Sequence, residues 1–146
     1  YSFWKRTAPP PSMQIFDAPS REYCVVRRER TNTPKAALAL MNDVQFVEAA
    51  RNLAQQMMKS GETPQARLEY GFRVSTARKP IESETAVLLG IFESILKSYQ
   101  EDPQAATSLV SVGESKRDES LDVAELAAWT IVANTILNLD EVVTKG

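Results

Sequence analysis

Between Leu121 and Leu139 the chain carries apolar side chains in nearly every direction around a helix. Leu126, Ala127, Ala128, Trp129, Ile131, Val132, Ala133, Ile136, Leu137 and Leu139 leave almost no polar side. A helix that is apolar all round must be buried by other elements. The window is broken by Asp122, Glu125, Asn134 and Asn138, and no apolar run reaches the roughly 20 residues of a membrane span. The segment therefore predicts a central helix inside a bundle. Asp122, with Glu125 three residues on, is a capping-box start. Thr130, Asn134 and Asn138 fall at i, i+4 and i+8 in one narrow line. Buried, such a line needs hydrogen-bond partners, and backbone groups of the N-terminal residues or of helix ends are the nearest candidates.

The elements that bury this helix announce themselves by their starts. Thr33-Pro34, Thr63-Pro64 and Asp102-Pro103 each place an oxygen-bearing cap before a proline. Proline at the first helical position loses no hydrogen bond there. The predicted helices run Pro34–Met41, Val44–Ser60 after an Asp43 cap, 64–76, 84–100 and 103–112. Phe46, Val47, Ala50, Leu53, Ala54 and Met57 form an apolar stripe on the second. Gly61 and Gly113 are stop signals, and the charged stretch Glu114–Ser120 is expected to be the most mobile loop.

Residues 1–33 have no helical period. Pro9-Pro10-Pro11 forces an extended piece, and Asp17-Ala18-Pro19-Ser20 is a turn. Six basic residues stand against three acidic ones here, while the rest of the chain has 11 basic and 16 acidic. Two readings follow: an arm docked on a more acidic helical body, or an anion site. Arg27, Arg28 and Arg30 precede a helix start, with Asn32 between them and the cap. Arginine forks grip carboxylate or phosphate, and free helix N–H groups add positive potential. The alternative is an ion-pair clasp onto Glu48, Asp140 or Glu141.

The 146 residues and 43% hydrophobic content suit one soluble domain with a real core. Absence of histidine removes a Ser-His-Asp triad, a His-ligated haem and any His-containing zinc site from this chain. The single cysteine, Cys24, precludes an internal disulfide and reads as a buried small side chain. The glycines form no phosphate loop. A net charge of −2 argues against nucleic acid as a partner. No initiator methionine or signal pattern opens the sequence, so it is expected to be a piece of something longer.

Several motifs carry a family resemblance. They are Tyr1-Ser2-Phe3-Trp4-Lys5-Arg6, Pro9-Pro10-Pro11-Ser12-Met13, Phe16-Asp17-Ala18-Pro19 and Arg21-Glu22-Tyr23-Cys24. Arg27-Arg28-Glu29-Arg30-Thr31-Asn32-Thr33-Pro34, Phe46-Val47-Glu48-Ala49-Ala50, Glu125-Leu126-Ala127-Ala128-Trp129 and 134–141 complete the set. Together they resemble a planctomycete-specific C-terminal domain of unknown function, found in proteins with cytochrome-c-like domains. The resemblance implies an exported or periplasmic parent with haem c held elsewhere. This chain would be the C-terminal part of its last domain, with no catalytic residue to assign.

The reading is thus an all-α bundle of about five or six helices around a central C-terminal helix. An extended arm (1–33) belongs to the same domain as the helical body (34–146). The expected role is a noncatalytic structural or interaction module of a cytochrome-linked multidomain protein, with the parent's other domains as partners. No cofactor or metal is expected in this chain. The alternative is part of the substrate-binding site of a carbohydrate-processing oxidoreductase. In that case Arg27, Arg28, Arg30 and Asn32 would hold an acidic or carbohydrate ligand.

Overall fold

The computed structural model describes residues 33–143, and every regular element among them is a helix. The order is α1 (Pro34–Asn42), α2 (Val44–Ser60), α3 (Pro64–Thr76), α4 (Glu82–Glu101), α5 (Pro103–Val110), α6 (Val123–Leu137) and α7 (Asp140–Val143). The described part of the protein is all-α. The helix beyond the expected six is α7, one turn following the bend at Asn138. Residues 1–32, which hold most of the expected arm, lie outside the described residues.

Local chemistry accounts for most boundaries. Asp43 accepts from the Gln45 N–H at 2.9 Å and opens α2. Thr63 accepts from Ala66 ahead of α3. Asp102 accepts from both Gln104 and Ala105 ahead of α5. Asp122 accepts from Glu125 at 2.8 Å and opens α6. Each side-chain oxygen satisfies an N–H that has no partner within its helix. The capping box at α6 is half made, because the Glu125 carboxylate pairs with Arg67 instead. Helix α3 ends on Ala77 in the left-handed region, φ 61°, where its N–H reaches Arg73 O.

Helix α6 is the hub. It packs on α2 most extensively, then on α4 and α5, and touches α3. Leu126, Trp129, Val132 and Ile136 have no exposure, and neither do Ala127, Ala128 and Ala133. On α2, Ala50 and Ala54 are fully buried as well. Small residues on both helices permit close axial approach. Trp129 stacks on Phe92 of α4, with ring centroids 4.2 Å apart. Leu68 and Phe72 bring α3 into the same core. A Cβ on Gly71 would meet Met57 Sδ at 2.5 Å, so α2 and α3 meet there almost backbone to side chain.

The Thr130–Asn134–Asn138 line has three different destinations. Thr130 Oγ1 donates to Leu126 O within the helix. Asn134 Nδ2 donates to Met41 O, which ties the hub to the end of α1. Asn138 Nδ2 donates to the carbonyl and side-chain oxygens of Asn134.

Candidate functional site

Helix α2 points a polar row at the connection between α5 and α6. Glu48, Arg51, Asn52, Gln55 and Lys59 recur at three- and four-residue steps, so they share one face. Arg51 is the centre of it, with 1% relative exposure. Its Nη1 donates to Val110 O and Val112 O, both at 2.7 Å. Its Nη2 donates to Ser115 O at 2.7 Å and Ser115 Oγ at 2.6 Å. Carbonyls at the end of a helix lack partners within it, and a cation there also suits the helix dipole. The guanidinium thus closes α5 and holds the following turn.

Glu48 holds the other side of that turn. Its two carboxylate oxygens accept from the Glu114 N–H at 3.1 Å and the Ser115 N–H at 2.7 Å. The Ser115 side chain, these backbone N–H groups and Arg51 hold its pKa below the usual glutamate value. Gly113 is what lets the chain pass: its φ is +94°, and a Cβ there would run into the Glu48 carboxylate. Further on, Gln55 Oε1 accepts from the Asp118 N–H at 2.6 Å, and Lys59 pairs with Asp118 at 2.5 Å. Lys59 and the Ser120 groups depress the Asp118 carboxyl strongly. The stretch 114–120, which composition marks as a mobile loop, is therefore strapped to α2 at several points.

A recess of about 490 Å3 opens beside the strap. Arg51, Val110, Ser111, Ser115, Lys116, Arg117 and Glu119 line it. The Nε of Arg51 is buried without an acceptor.

A second charged cluster lies at the other end of the bundle. Arg78 forks onto Glu84 at 2.7 and 2.9 Å and onto Glu141 at 2.7 and 3.0 Å. Its guanidinium carbon stands 4.8 Å over the Phe72 ring. Glu84 also accepts from the Ile81 N–H at 2.9 Å. Arg78, then the Ile81 N–H, lower the Glu84 pKa to about 2, and the two carboxylates raise that of Arg78. Next to this cluster an apolar groove of about 290 Å3 is lined by Phe72, Val87, Leu88, Ile91, Thr135 and Leu139, with Ser83 and Glu84 at its edge.

Arg27, Arg28, Arg30 and Asn32 lie outside the described residues. Two of the carboxylates offered as their ion-pair partners have partners within the helical body: Glu48 in the α5–α6 turn and Glu141 on Arg78. Thr130, Asn134 and Asn138 line no described recess; they tie the hub together. Arg51 is the residue that sequence reasoning overlooked. Its signal was a charged side chain in an apolar stripe, four residues after Val47 and three before Ala54. Among the described residues there is no group of three or more His, Cys, Asp or Glu side chains that could hold a metal ion. None of the described helices is long and apolar enough to cross a membrane.

No curated protein and no solved structure matches the chain. A family model does, and it runs through the N-terminal segment, α1, α2 and α3 into α4, as far as the Phe92 that stacks on the hub tryptophan. With residues 1–92 matched, the chain belongs to PSD1, a family described as protein of unknown function (DUF1553).

Proposed function

We propose that this helical domain is a noncatalytic structural or interaction module that packs against other domains of a longer parent protein. The observation that carries the reading is the groove between α3, α4 and α6. Its walls are almost entirely aliphatic or aromatic, and Val87 and Ile81 beside it are 62% and 58% exposed. The charged groups at its edge, Arg78, Glu84 and Glu141, already satisfy one another. Such a surface recognises an apolar side chain of a neighbouring domain better than a charged small molecule.

The resemblance supports the finer setting. The parent would be an exported, periplasmic, cytochrome-linked multidomain protein of planctomycete type. This chain would form its C-terminal part, and haem c would be bound in another domain. The test uses the full-length parent. Val87→Asp is expected to loosen the domain, giving faster proteolytic release of this region, while haem content and turnover stay unchanged. Loss of sugar-dependent haem reduction on Arg30→Ala would overturn the noncatalytic reading in favour of substrate binding.

A further inference from the structure

We propose that the recess beside the Arg51 strap binds an oxyanion, a phosphoryl or carboxylate group carried by a small ligand. The recess shares no lining residue with the apolar groove, so the proposal does not depend on the reading above.

Three observations converge on it. Arg51, Arg67, Arg73 and Arg78 each have a carboxylate partner within 4 Å. Arg117 has none among the described residues, although it is half-buried. A cation partly removed from water gains most from an opposite charge. Lys116, its neighbour on the same wall, is also without an ion pair among the described residues. Finally, Arg51 is 1% exposed, lines the recess and keeps one donor, Nε–H, without an acceptor. Its four other bonds fix the guanidinium in place, so its positive charge is held behind the recess wall, while Nε itself has no accessible surface.

The lining carboxylate is Glu119, which is exposed on the same recess; Glu48, 3.8 Å from Arg51 Nη2, is already held by the Glu114 and Ser115 N–H groups. Lys116 and Arg117, without an ion pair among the described residues, outnumber Glu119, and its exposure lets water screen it. At about 490 Å3 the recess is within the ~300–1,000 Å3 usual for small-molecule sites. It therefore has room for more than the anionic group itself.

The test is nitrogen-resolved NMR of the whole chain, titrated separately with inorganic phosphate and with acetate. Saturable shifts of the Arg51 and Arg117 Nε–H signals and of the 115–117 amides are expected. A response to phosphate alone assigns a phosphoryl group, and a response to acetate alone or to both admits a carboxylate. Arg117→Gln should weaken the affinity roughly tenfold, with an unchanged melting temperature. Lys116→Gln should act in the same direction, and Glu119→Gln should tighten binding. The proposal is overturned if neither anion gives a saturable shift. It is also overturned if the shifts spread equally to Lys35 and Lys97 and persist in Arg117→Gln.

Discussion

Arg51 and Ser115, 64 residues apart in sequence, are joined by two hydrogen bonds, from Nη2 to the Ser115 carbonyl at 2.7 Å and to its hydroxyl at 2.6 Å. With the bonds to Val110 O and Val112 O, they make a core arginine the closure of a distant helix. Removing the side chain would leave buried carbonyls without donors. Arg51→Met is expected to cost on the order of 2–4 kcal/mol in urea unfolding. Arg51→Lys should recover only part of that, because an ammonium cannot fork. Hydrogen exchange at Glu114 and Ser115 should speed up in both; unchanged exchange would mean the strap does not hold the turn.

Gly113 answers to the same strap. Its φ of +94° strains any side chain, and a Cβ would strike the Glu48 carboxylate. Gly113→Ala should destabilise by about 1–3 kcal/mol. Adding Glu48→Ala should cost less than the two single changes summed, since the second removes the carboxylate part of the clash made by the first and leaves the Cβ contact at 2.8 Å. Strict additivity in chemical denaturation would contradict this contact.

Ala77 presents the converse case. It ends α3 at φ 61°, a conformation that glycine adopts without a Cβ penalty. Ala77→Gly should therefore stabilise the domain by ~0.5–1 kcal/mol. A lowered melting temperature would argue that the Ala77 methyl contributes more than its strain costs.

Acid should weaken the arginine clusters in a defined window. The Glu84 carboxyl is lowered from 4.5 to about 2 by Arg78 and the Ile81 N–H. A folded pKa below the unfolded one means the carboxylate's contribution is fully present above the unfolded value. It is lost as pH falls from 4.5 towards about 2. Glu48 and Asp118, also depressed, act in the same sense. Glu84→Gln should flatten the fall of stability across that window. An identical pH profile would show that the pair is screened to insignificance.

Asp122 tests the part of the fold that local sequence controls. It accepts from Glu125 N at 2.8 Å at the start of the hub helix. Asp122→Ala should cost about 1 kcal/mol in thermal unfolding, while Asp122→Asn or Asp122→Ser should be nearly silent.

Helix starts were the most legible features because caps act within three residues. Asp43, Thr63, Asp102 and Asp122 all cap where their spacing indicates. The hub was legible too: Leu126, Ala127, Ala128, Trp129 and Thr130 are buried in succession, right round α6, while Ile131 and Thr135 are half-buried. The apolar stripe on α2 held for Val47, Ala50, Leu53, Ala54 and Met57, whereas Phe46 is 41% exposed. Phe46 lies near the N-terminal end of α2, and periodicity alone does not tell where along a helix the cover ends. Composition misread 114–120, because a hydrophilic loop can be held by polar groups that come from far away in the chain.

Local chemistry in the chain was thus enough to settle that its described part is helical, where most of its helices start and which one is central, although α4 begins two residues before the expected Glu84 and α7 was not foreseen. Hydrophobic period and capping are short-range, so they are written in neighbouring residues. Only the tertiary structure decided that Arg51 is a buried clasp, that Glu48 and Glu141 have partners inside the helical body, and that Arg117 and Lys116 have no ion pair among the described residues. Those outcomes depend on which groups meet across some 60 residues, and a polar side chain's role is set by its partners rather than by its type.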